Sequence, residues 1–373
     1  MITCRTFDEL VAILGEPGLA EALDDAQWSG LIVLARSANL LGALAERLAS
    51  AHQSIRAQPA RHLDGARQLS SRQRQSVHWE VHQLQAALGS LNVPVLLLKG
   101  AAYVLAYDLV AKGRLFGDID ILVPKSSIGD VESQLMLSGW VSARTNAYDQ
   151  RYYRQWMHEI PPMQHIHRGT VVDVHHTILP PTARHTPDPA RIVARSIPVK
   201  ISGLDAVRVP CPEDLVIHSI THLVHEGELH NGLRDLQDID CMLRNFQETP
   251  GFWDRLSQFA TENDLAQPVL LGLHLVGLVF KTPIPASVTT QLENSKNVRH
   301  PPKLLQSIYL TALQPENHDT AELTADLARW LIYVRSHALR MPPLQLARHL
   351  TTKAWMGMME SWRTKEAEKP SPI

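Results

Sequence analysis

Over the first ninety or so residues, apolar side chains recur at three- and four-residue intervals among Ala, Gln and Arg, as in EVHQLQAALGSL. That period predicts several helices. The pattern changes at VPVLLLKG, where a continuous apolar run opened by Pro94 and closed by Gly100 predicts a short buried strand, followed by a helix over roughly Ala101 to Leu109. GDIDILVP predicts a second strand, stopped by Pro124. SSIGDVESQLMLSGW predicts a helix with Ser126 or Ser127 near its N-cap and Gly139 just past its end. MQHIHRGTVVDVHHTIL and RSIPVKISGLDAVRVP each hold two alternating runs, around Arg168-Gly169 and Ser202-Gly203, so two hairpins are expected and strands should dominate to about residue 210. Between them the proline-dense PPTARHTPDPAR reads as an exposed loop. From CPEDLVIHSITHLVHEG onward the period is helical again, through SHALRMPPLQLARHLTTKAWMGMMESW, and the closing RTKEAEKPSPI has the composition of a disordered tail.

These elements predict an α+β protein: a helical region over 1–90, a mixed sheet with flanking helices over 91–210, a helical domain over 211–362 and a tail over 363–373. A chain of 373 residues is long enough for two or three such units. The net charge of −2 supplies no global basic field, so composition by itself names no nucleic-acid partner. Cys4, Cys211 and Cys241 lack C-x-x-C spacing, which argues against a disulfide framework and against a cysteine zinc site. The longest apolar run, VLLGLHLVGLVF at 269–280, is too short to span a bilayer, and the N-terminus has no apolar signal core. A cytoplasmic protein without membrane contact is expected.

The chemistry begins with an anomaly in the second strand. Residues two apart on a strand share a face, so Asp118 and Asp120 lie together while Ile119 and Ile121 face the core. Two carboxylates at ~4 Å repel by roughly 4 kcal/mol at an effective dielectric of ~20, so a cation belongs between them. Mg²⁺, held by one or two carboxylates together with waters and phosphates, meets that need. In TVVDVHHTI, Asp173 shares its face with Val171 and His175; if this strand lies beside the first, three carboxylates converge.

LLLKG, the arginine four residues before the first aspartate in RLFGDIDILV, then VVDVHH and PEDLVIHSITHLVHEGELHNGLRDLQDIDCMLR together resemble the polymerase-beta-like nucleotidyltransferases, specifically a branch known only as uncharacterised nucleotidyltransferases. The resemblance runs from about Pro94 to about Asn245. It implies that Lys99 and Gly100 form the phosphate-side turn, that Asp118 and Asp120 are the metal pair and that Asp173 is the third catalytic carboxylate. The superfamily turn is commonly Gly-Ser or Gly-Gly, whereas here it is Lys-Gly, and a lysine can meet phosphate as a point charge. Arg114 is expected at the mouth of the site as a triphosphate or pyrophosphate ligand, and His175 near the nucleotide or a metal-bound water. The implied reaction is Mg²⁺- or Mn²⁺-dependent transfer of a nucleoside monophosphate from a nucleoside triphosphate, such as ATP, to a hydroxyl whose owner (small molecule, RNA or protein) the sequence does not specify.

Two other readings stand beside it. A catalytically idle relative would bind nucleotide or a partner without turnover. A histidine-aspartate phosphohydrolase would draw on His218, His222 and His225, at helical intervals, with Asp235 and Asp238 downstream. HEGELH places His225 and His230 five apart, one more than the H-E-x-x-H spacing that puts two ligands on one helical face. RYYRQWMHE at 151–159 is a candidate basic and aromatic lip of the site.

Overall fold

A computed structural model of the chain describes residues 7–144, 146–315 and 323–342. Cys4, the predicted helical run beyond residue 342 and the predicted tail lie outside the described residues. Among the described residues, four α-helices precede the sheet, Phe7–Gly15, Asp25–Ser37, Leu41–Ser50 and Ala57–Leu88. The second starts on a capping box, in which Asp24 accepts from Gln27 N and the Gln27 side chain accepts from Asp24 N. The fourth buries Val77, Val81, Leu84 and Leu88, a spacing that makes one apolar stripe, against the helices that flank the sheet.

Seven strands among the described residues form one mixed sheet: β1 Val95–Leu97, β2 Asp118–Leu122, β3 Trp140–Ser142, β4 Met163–His165, β5 Val171–His175, β6 Ile197–Pro198 and β7 Val207–Val209. Their spatial order is β3-β4-β5-β2-β1-β7-β6. β2 lies in the middle, parallel to β5 and antiparallel to β1, and β1 is parallel to β7. Both predicted hairpins form, β4 with β5 and β6 with β7.

Local expectations change in three places. The helix after β1 starts at Lys99 and breaks at Tyr107, whose hydroxyl donates to Pro210 O at 2.8 Å and whose ring packs edge-on against Phe246 at 5.2 Å. Helices Ala147–Trp156 and Pro189–Arg195 interrupt the region expected to be mostly strand, each opened by an overlooked N-cap, Asn146 and Asp188. The proline-dense loop is anchored as well as exposed, because Thr182 Oγ1 donates to Arg340 O at 2.7 Å and Arg184 N to Leu339 O at 2.8 Å.

Helix Pro212–Glu226 is buried along nearly its whole length, with Gly232–Phe246, Phe252–Glu262, Ala266–Phe280 and Leu323–Arg340 packed on it. It stops at Gly227, whose φ of +83° suits glycine and where a Cβ would meet Ser336 Cβ at 2.8 Å. The apolar run at 269–280 lies within Ala266–Phe280 and is mostly buried, with Leu278 exposed. No helix among the described residues is long and apolar enough to cross a membrane. The buried apolar side chains form a continuous cluster from Leu10 to Ile332.

Candidate active site

The register between β2 and β5 puts Asp120 opposite Asp173 and Asp118 opposite Val171. On the other face Ile119, Ile121, Val172 and Val174 are all buried, which fixes the register because a one-residue slip would turn the aspartates into the core. Asp118 stands at the exposed start of β2, whereas Asp120 is 4% exposed. Asp120 Oδ1 accepts from Lys99 Nζ at 3.0 Å and from His175 Nε2 at 3.0 Å. Asp173 Oδ1 is buried without a hydrogen-bond partner.

Lys99 reaches Asp120 because Leu98 N donates to Asp120 O at 2.9 Å, which extends the β1–β2 ladder to the edge of the turn. Its own backbone is left-handed, at φ +42°, an uncommon conformation for a residue with a Cβ. Lys99, expected at the phosphate-side turn, forms an ion pair with the second aspartate. Gly100 is required by side chains: a Cβ there would meet Phe116 Cδ1 at 2.6 Å and Arg114 Nη1 at 2.9 Å. Arg114 lines the cleft, its guanidinium over the rings of Tyr103 and Phe116 at 5.3 and 5.2 Å. Its Nε donates to Asp238 Oδ2 at 2.6 Å, and Asp235 lies 3.7 Å from Nη2.

All seven predicted site residues line one cleft of about 360 Å³. In it, eight carboxylates (Asp118, Asp120, Glu159, Asp173, Glu226, Glu228, Asp235 and Asp238) face four basic side chains, Lys99, Arg114, Arg234 and Arg340. Arg114 and Arg234 pair with Asp235 and Asp238 at one end, so the excess negative charge collects around β2 and β5. The titration behaviour follows. Burial and the neighbouring Asp120 raise Asp118. Burial would raise Asp120 too, but Lys99 and then His175 hold it well below the usual carboxylate range. Burial and the charges of Asp120 and Asp118 push Asp173 up to about 7. Glu159 is raised well above its ordinary value by burial and by Asp173.

His158, Glu159 and Glu226 also line the cleft and carry no individual role in the sequence reading, while His222, named there for a histidine-aspartate site, joins them. The signal for the first two lay inside RYYRQWMHE. Its aromatic part forms a ladder, Tyr152 against Trp156 at 6.0 Å, while the two residues that follow Met157 turn into the cleft. Glu226 is the last residue of its helix and takes His222 Nε2 at 2.9 Å.

The histidine-aspartate set comes together only in part: His222, Asp235 and Asp238 line the cleft, whereas His218 and His225 are not among its lining residues. His225 lines a different pocket, its ring 5.8 Å from that of His185, while His222 and His230 face the β2–β5 cleft. Asp238 is bound by Arg114.

The family model for an uncharacterised nucleotidyltransferase matches residues 24–281. No curated protein matches the chain. Among solved structures, the chain is similar to an antigenic nucleotidyltransferase-like protein from Paracoccidioides brasiliensis, at 19% identity and a TM-score of 0.31, over 59% of this chain and 98% of that one. The matched span takes in the whole sheet, the three aspartates and the buried helices behind them, and the chain belongs to the uncharacterised nucleotidyltransferase family.

Proposed function

We propose that the protein is a divalent-cation-dependent nucleotidyltransferase that moves a nucleoside monophosphate from a nucleoside triphosphate to an acceptor hydroxyl and releases pyrophosphate. The observation that carries this reading is the pairing of Asp120 with Asp173 on parallel neighbouring strands, with Asp118 two residues earlier on the same face. Mg²⁺ or Mn²⁺ fits the residues present: Asp118, Asp120 and Asp173 are an all-oxygen donor set, and the orphaned Asp173 Oδ1 lacks a partner that an ion would provide. Such an ion, when bound, supplies Lewis-acid stabilisation at phosphorus and lowers the pKa of the attacking hydroxyl.

The chain's own residues prepare that site. Lys99 and His175 keep Asp120 ionised and fix its carboxylate through two bonds to one oxygen. Arg114, held by Asp238 and stacked between two rings, makes a stiff basic wall beside Gly100. Incubation with each α-labelled triphosphate, Mg²⁺ or Mn²⁺ and cell lysate asks whether label enters protein, RNA or small metabolites, which identifies the acceptor.

A second reading, an idle nucleotide binder, is favoured by one observation. Lys99 and Arg114, the basic groups nearest the aspartates, are already in ion pairs. Triphosphate binding that ignores chelator and survives Asp118→Asn with Asp120→Asn, with no label transferred, would support it.

A further inference from the structure

The segment that passes the end of β5 brings donors of a second chemical kind to the cleft. Glu159 forms an isolated antiparallel bridge with His175. On either side of it, Ile160 N donates to Val174 O at 3.0 Å and His176 N to His158 O at 2.8 Å, so backbone bonds hold His158 and Glu159 across from His175. One ligand atom from each of the three side chains lies within 4.8 Å of the others.

Two buried ring nitrogens at this point have no hydrogen-bond partner, His175 Nδ1 and His158 Nδ1. His175 is 3% exposed, and its Nδ1 lies 3.4 Å from Glu159 Oε2. The other nitrogen settles the tautomer: the Asp120 carboxylate only accepts, so His175 Nε2 carries the hydrogen and Nδ1 presents a lone pair. A histidine that donates one ring N–H to a carboxylate while the other nitrogen stays open is in the arrangement that metal-ligating histidines adopt.

We propose that His158, Glu159 and His175 form a site for a borderline transition-metal dication of the Zn²⁺ class, separate from the all-oxygen aspartate site and joined to it through the His175–Asp120 hydrogen bond. Two imidazoles and one carboxylate suit Zn²⁺ or Co²⁺, whereas Mg²⁺ prefers oxygen alone. The site stands on its own donors and does not depend on the nucleotidyl-transfer reading. Its effect on that chemistry would be positional, since an ion on Nδ1 would fix the ring that orients Asp120.

The test uses the full chain stripped of metal, with Zn²⁺ bound at equilibrium dialysis and Co²⁺ followed by its visible absorption, both in millimolar Mg²⁺. One equivalent retained by the wild type is expected, weakened at least tenfold in His158→Gln and in Glu159→Gln and kept in Asp118→Asn. Glu159→Gln decides the matter if His158→Gln fails to fold, because it removes a ligand from a half-buried position without adding charge. Absence of stoichiometric Zn²⁺ or Co²⁺ would overturn the proposal. So would binding that is unchanged in Glu159→Gln, or binding that disappears in Asp118→Asn while surviving Glu159→Gln.

Discussion

Asp120 and Asp173 are direct partners across β2 and β5, yet their carboxyls titrate in opposite directions, Asp120 held low by Lys99 and His175 and Asp173 pushed up to about 7. The sign of the stability effect follows. Asp173, raised in the folded state above its ordinary 3.8, favours folding while protonated, and that contribution is lost as pH rises through about 7. At ~1.4 kcal/mol per pKa unit the loss is at most about 4 kcal/mol. In chelator, wild type should lose stability relative to Asp173→Asn between pH 4 and 7, and denaturant melts at several pH values check this. Added Mg²⁺ should stabilise wild type more at pH 8 than at pH 5, because at low pH it competes with the Asp173 proton.

Lys99→Met leaves Asp120 buried without its cation. Breaking a buried pair by removing one partner costs about 3 kcal/mol or more, and adding Asp120→Asn to Lys99→Met should recover most of it. Urea denaturation at pH 7 measures both. A loss below about 0.5 kcal/mol for Lys99→Met would mean that the pair behaves like an exposed one.

Gly100→Ala places a methyl against Phe116 and the Arg114 guanidinium. Overpacking of this kind costs about 1–3 kcal/mol, and the cost should shrink in a Phe116→Ala background. An unchanged cost in that background would locate the strain elsewhere.

Arg114→Met separates a structural arginine from a phosphate-binding one. With Asp238 and Asp235 left beside it, the variant should lose about 3–5 kcal/mol of stability, partly restored by Asp238→Asn. Weakened triphosphate binding with unchanged stability would instead make Arg114 a ligand residue first.

The sheet and the aspartates were legible because both rest on short-range rules. Period-two alternation put Asp118 and Asp120 on one face, and the same rule put His175 beside Asp173. What alternation along one strand does not contain is partner choice over long separations. Asp238, which binds Arg114, lies 124 residues away, and nothing local to RLFGD announces it. His158 and Glu159 reach the cleft through an isolated bridge to β5, just before Pro161 and Pro162, where the hydrophobic period is broken. The resemblance assigns Lys99 to the phosphate-side turn, and its ion pair with Asp120 was not legible because the left-handed backbone that aims it there has no signature in a residue that usually avoids that conformation.

The most direct measurement of the central claim is transfer of label from α-labelled nucleoside triphosphates by the purified chain in the presence of lysate acceptors, with Mg²⁺ or Mn²⁺ and with chelator. Wild type should place label in one acceptor class, and chelator or the Asp118→Asn, Asp120→Asn double variant should lower it at least about a hundredfold. Label that persists undiminished in the double variant, or no label from any of the four triphosphates, would contradict the assignment.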